Sequence, residues 1–224
     1  MAATYAELDR MHAWRGWHWW PDGDPFEVCV GAILVQNTSW TNVERALERL
    51  RGARALDFPT MAKLGSEELE ELVRPSGQYR QKAKKLRALI ETAKREGGFD
   101  HLLALDAVTL RERLLATWGI GPETADCIVC YASGKPALVV DAYTARFFTR
   151  LGHGPGGSGY DAWQGWMLAR LPTEREVYAR LHALIVLHCK HLCRKRAPQC
   201  GACGFLETCS FGRAKGEGAG ASDD

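Results

Sequence analysis

The sequence has no run of about 18 consecutive apolar residues, so no part of it reads as a membrane-spanning helix. Its first residues, MAATYAELDRMHAW, carry acids and lack the apolar stretch of a secretory signal. A reducing, cytoplasmic address is therefore expected. Disulfides are rare there, so the eight cysteines point first to metal ligation. Charge of one sign is also missing: 29 Lys and Arg against 27 Asp and Glu leave +2. That balance neither demands nor excludes a nucleic-acid partner, which a local basic stripe would decide. No repeat of fixed period is present. What remains is 224 residues, 46% hydrophobic, enough for one sizeable core or two small lobes sharing one.

Strand patterning is nearly absent too. Ala137–Val140 alone looks strand-like, and it is short and follows a proline. Helical spacing dominates over residues 26–50, 66–73, 81–94, 109–117, 123–131, 141–151 and 174–191, which predicts an all-α protein. HGPGGSGY (153–160) reads as a glycine-rich loop, and the low-complexity stretch after Phe211 as a frayed tail.

Two motifs carry chemistry. The first is Cys193-x6-Cys200-x2-Cys203-x5-Cys209, at the end of a helix. Four soft thiolates so close together suit zinc or an iron–sulfur cluster, and the spacing is that of neither ferredoxins nor zinc ribbons. Arg194, Lys195 and Arg196 fall inside its first loop, either as a solvated turn or as cations offered to phosphates. Cys29, Cys127, Cys130 and Cys189 lie in apolar helical runs and read as core. The second motif is Gly119-Ile120-Gly121-Pro122 between two helices, followed twenty residues on by Val140-Asp141. Paired glycines let backbone amides approach a phosphate, and proline suits a first helical turn. Asp141 reads locally as an ordinary helix N-cap.

Taken together, these motifs resemble the helix-hairpin-helix/Gly-Pro-Asp DNA glycosylases, over roughly residues 25–210. The cysteine loop is similar to the [4Fe–4S] loop of the endonuclease III family. The resemblance implies a base-excision-repair enzyme that flips a damaged base out of double-stranded DNA, at a nucleoid-associated, bacterial-type address. It also implies a [4Fe–4S] cluster on Cys193, Cys200, Cys203 and Cys209, and Asp141 as the essential carboxylate beside a cationic sugar. Gly119, Gly121, Arg194, Lys195 and Arg196 would hold the backbone, and Gln36 and Gln78 would insert into the duplex. The family's fold implies a six-helix barrel over 24–136 and a cluster lobe of 1–23 with 137–212. A flexible tail would follow over 213–224. DNA would cross a cleft between the lobes, with Asp141 at its mouth.

Two departures refine the expectation. Bifunctional members carry a Schiff-base lysine two residues after the second hairpin glycine; Glu123 stands there, and a carboxylate cannot form an imine. A monofunctional enzyme using water is expected. Trp19-Trp20-Pro21, Gln36–Trp40, Arg74–Tyr79 and the Glu123 hairpin look like bacterial 3-methyladenine DNA glycosylases. That branch implies an aromatic base pocket at Trp19, Trp20 and Trp40, suited to a cationic alkylated purine. These tryptophans also read as core. Lys190 reads as a pocket residue, a phosphate contact or surface. The chain thus mixes two patterns. Three other readings stay open: an endonuclease III-type lyase for oxidised pyrimidines, a DNA-structure-binding protein without catalysis, and a zinc-stabilised helical module.

Overall fold

The computed structural model describes residues 1–12 and 23–219, and Trp19 and Trp20 lie outside them. Among the described residues there is no strand, and no helix is long and apolar enough to cross a membrane. The chain divides into two compact units, Trp20–Ala137 and Met1–Trp19 with Leu138–Asp224.

The continuous unit is built around a buried helix. From the chain start, α1 spans Ala2–Met11 and α2 spans Pro25–Leu34. Eight of the ten residues of α2 are buried, so α2 is apolar on all sides and needs neighbours all round. Its start is fixed locally: Asp24 accepts the amides of Phe26 and Glu27, and Pro25 takes the first turn, where no amide is needed. Around it lie α3 (Trp40–Gly52), α4 (Phe58–Met61), α5 (Ser66–Val73) and α6 (Tyr79–Arg95). Then follow α7 (Phe99–Ala104), α8 (Ala107–Leu115) and α9 (Pro122–Cys127). The apolar stripe of α3, Val43, Ala46, Leu47 and Leu50, has the spacing of one helix face. Phe26, Phe58 and Phe99 close one end, with ring centroids 5.1–5.9 Å apart. The run after the hairpin is not α-helical to its end as its periodicity predicts: α9 widens into a π turn over Ile128–Ala132.

The second unit joins α1 to α10 (Ala142–Leu151), α11 (Tyr160–Leu168), α12 (Arg175–His191) and α13 (Ser210–Ala219). Leu8, Phe147, Phe148, Tyr178, Leu184 and Ile185 are among its core. Asp9 pairs with Arg180, and His12 meets His188 at 3.0 Å, so α1 is tied to α12 along its length. The strand-like Ala137–Val140 is buried and extended but pairs with no strand. The Leu138 carbonyl accepts instead from Gln164 of α11 at 2.7 Å, and the Val140 amide donates to the Tyr160 hydroxyl at 3.4 Å. The stretch read in the sequence as a tail begins within α13, which runs to Ala219. Its first turn is anchored: the Gly212 and Arg213 amides donate to Cys209, and Arg150 stacks on Phe211 at 4.4 Å.

Candidate active site and cysteine-lined pocket

Asp141 caps α10. Its Oδ1 accepts the Thr144 amide at 2.7 Å and the Thr144 hydroxyl at 2.9 Å. Its Oδ2 faces Nε2 of His182 on α12 at 3.6 Å. Burial pushes the carboxyl up, but the His182 imidazole and the Thr144 donors outweigh it and hold the group below the usual aspartate range. The side chain is 12% exposed, so a carboxylate held at Oδ1 and facing an imidazole at Oδ2 still reaches the surface. Such a group can stabilise adjacent positive charge or orient a water.

The hairpin lies in the other unit. Gly119 has φ +82°, a left-handed step that side chains resist, and an added Cβ would land 2.5 Å from Lys85 Cγ. Gly121 has φ −95° and nothing within 4 Å of an added Cβ. The two glycines therefore serve different ends. Gly119→Ala is expected to cost about 1–2 kcal/mol, seen as a melting temperature lower by about 2–8 °C. Gly121→Ala should melt like the parent.

Gln36, which the sequence places in an inserting loop, is engaged with this hairpin. Its Nε2 donates to Thr124 Oγ1 at 2.9 Å and to the Gly119 carbonyl at 3.4 Å, and its Oε1 accepts from Lys85. Gln78 is exposed, in a left-handed step (φ +47°) after Gly77 (φ +69°). Beneath that turn Lys82, only 2% exposed, donates to the Ser76 carbonyl at 2.5 Å. Burial, then the charge of Lys85, pushes the Lys82 ammonium down to about 8. Glu123 is exposed in the first turn of α9. Trp40 opens α3 half-buried, its indole donating to Glu44 at 2.9 Å. Lys190 is exposed near the end of α12.

Cys193, Cys200, Cys203 and Cys209 line one pocket, walled by Phe147, Leu151, Leu192, Phe205, Leu206 and Phe211. Their sulfurs already have company: Arg150 donates to Cys193 Sγ at 3.3 Å, the Gly212 amide to Cys209 Sγ at 3.4 Å, and His188 Nε2 lies 3.7 Å from Cys203 Sγ. Burial, then His12, pushes His188 down to about 4, which leaves it neutral at pH 7. A hydrogen bond from Cys189, helped by Arg150 and Arg146, holds the Cys193 thiol below its ordinary value against burial. Among the described residues no three His, Cys, Asp or Glu side chains gather closely enough for a single metal ion. Arg150 also takes the Arg194 carbonyl at 2.7 Å and the Lys195 carbonyl at 3.2 Å. With those carbonyls held, the side chains of Arg194, Lys195 and Arg196 are exposed.

Sequence reasoning names Asp141 and the four cysteines as candidates and does not name His182, Arg150 or Lys82. Thr144 was legible, since a threonine three residues after a capping aspartate is a local pattern. His182 was not: it lies 41 residues on, in an apolar helical run where an imidazole reads as core.

The model of the HhH-GPD superfamily base excision DNA repair proteins matches residues 30–162. MJ1434 of Methanocaldococcus jannaschii, named as a candidate DNA repair glycosylase, is 42% identical over 86% of this chain and 88% of its own. The H. pylori 3-methyladenine DNA glycosylase MagIII, solved with 1,N6-ethenoadenine, is 31% identical with a TM-score of 0.75, covering 84% of this chain and 96% of that one. Endonuclease III in a non-covalent DNA complex shares the fold, with a TM-score of 0.82 at 23% identity and 96% of each chain covered. The chain belongs to the HhH-GPD superfamily, as a base excision repair DNA glycosylase.

Proposed function

We propose that the chain is a monofunctional glycosylase that removes an alkylated purine with water. The observation that carries this is Asp141, a carboxylate kept ionised, held at Oδ1 and still partly open. In the proposed step the C1′–N bond breaks and its electron pair leaves on the base. Water forms the new C1′–O bond, and its proton passes to Asp141 or to solvent. A cationic purine leaves as a neutral base, so the leaving group needs little acid. Glu123 at the lysine position supports hydrolysis, and the likeness to a 3-methyladenine glycosylase supports the substrate class. Trp40 would stack on the flipped base, with Trp19, Trp20 and Lys190 completing the pocket. Gln36 and Gln78 would enter the duplex, and Gly119, Gly121, Arg194, Lys195 and Arg196 would hold its phosphates.

The cysteine-lined pocket fits a resident [4Fe–4S] cluster. Four thiols around one pocket, two of them with N–H donors to the sulfur, are a donor set such a cluster takes. The cluster would brace the basic loop, and no part of base release is routed through it. A second reading, a lyase for oxidised pyrimidines, is favoured by one observation: the Lys85 amine lies beside the hairpin.

Base release from duplexes holding 3-methyladenine, thymine glycol or uracil, with borohydride present, tests both. The expected result is release of 3-methyladenine and no covalent protein–DNA adduct. An adduct that Lys85→Gln abolishes would establish the second reading instead.

A further inference from the structure

His182 stands out because nothing in the helix cap requires it. Asp24, Asp57 and Asp106 cap α2, α4 and α8 through their own amide acceptances, and among the described residues none of them has an imidazole against it. Asp141 alone of the four does. The imidazole is 5% exposed, between Leu181 and Ala183 on a helix whose neighbours are apolar and buried. An apolar side chain would fill that place without the cost of burying a polar ring. Asp141 Oδ2, 3.6 Å away, is a polar group this ring faces.

The partner is a carboxylate with two unlike oxygens. Thr144 holds Oδ1 with two donors that belong to α10 itself, so this hold ties the carboxylate only to its own helix. His182 Nε2 meets the other oxygen from a separate helix, packed on α10. Contacts from two elements tie the carboxylate to the packing of α12 as well as to its own helix. We propose that His182 is a positioning residue, fixing Oδ2 of Asp141 in the orientation that faces the sugar. It touches no substrate and acts only through Asp141. The inference rests on the reading of Asp141 as the catalytic carboxylate.

The experiment measures single-turnover base release from whichever duplex of the panel the parent protein cleaves fastest, together with duplex affinity and melting temperature. It compares His182→Leu, His182→Gln, His182→Asn and Asp141→Asn. His182→Leu is expected to slow release about 100-fold, the scale of a mispositioned reacting group, with affinity within about twofold of the parent. His182→Gln, which reaches far enough to donate, should recover at least tenfold of that loss. The shorter His182→Asn should recover less. If the leucine variant does not fold, the glutamine and asparagine variants decide alone. Parent-like release in both, or losses that merely track affinity and melting, overturns the role of His182 while an inactive Asp141→Asn leaves the aspartate reading standing. An active Asp141→Asn overturns that reading itself.

Discussion

Asp141→Asn is expected to slow base release by about 1,000-fold, roughly 4 kcal/mol of transition-state stabilisation, with little change in fold. Asparagine caps a helix about as well as aspartate, so the Thr144 amide keeps its acceptor and melting should move by less than about 4 °C. The charge is what is lost. Asp141→Ala makes the useful contrast: it removes the cap as well, about 1 kcal/mol, and should be both inactive and less stable. The pH dependence follows from the direction of the shift. Because the folded carboxyl titrates below its ordinary value, its contribution to stability is present above that value, about 3.9, and is lost as pH falls through the lower folded one. Release should therefore show no Asp141 limb between about pH 5 and 8. A rate of the Asn variant within tenfold of the parent would remove the carboxylate from the mechanism.

Cys203→Ser is expected to have the second large effect. The parent protein should be brown, absorb near roughly 400 nm and hold about four irons per chain. The variant should lose the colour and most of the iron. With the loop no longer braced, the three exposed cations Arg194, Lys195 and Arg196 lose their fixed presentation. The slope of log affinity against log salt should then flatten by up to about three. A colourless parent protein containing one zinc would overturn the cluster assignment and leave the loop's role in binding to be measured separately.

How far the sequence reaches depends on the range of the interaction. Ser66–Val73 reads to the residue, because its apolar spacing and its boundaries are local. Asp141 at the head of a helix reads equally well, whereas the left-handed step at Gly119 alone of the two hairpin glycines does not. The cysteine spacing narrows the ligand class before any coordinates. What does not read is pairing between distant helices: His182 with Asp141, Arg150 with three loop carbonyls, and Lys82 beneath the Gln78 turn. A buried lysine or histidine in an apolar run leaves no trace of its partner in the periodicity. One local reading gave way to tertiary packing. The π turn at Ile128–Ala132 falls where the run packs on α2, and α13 forms because Cys209, Arg150 and Leu206 hold its first turn. Trp19 and Trp20 remain sequence-level candidates.

The interleaved order of the two units sets a timetable for synthesis. Helix α1 emerges first, yet Leu8, Asp9 and His12 close on Tyr178, Arg180 and His188 or their neighbours, encoded some 170 residues later. At ordinary translation speeds that is a wait of roughly 10–40 s. The uninterrupted unit is complete once Ala137 has left the ribosome. Residues 1–12 can therefore dock only after α12 is made, and a deletion of α1 should slow completion of the cysteine-bearing unit while leaving the hairpin unit's own maturation untouched.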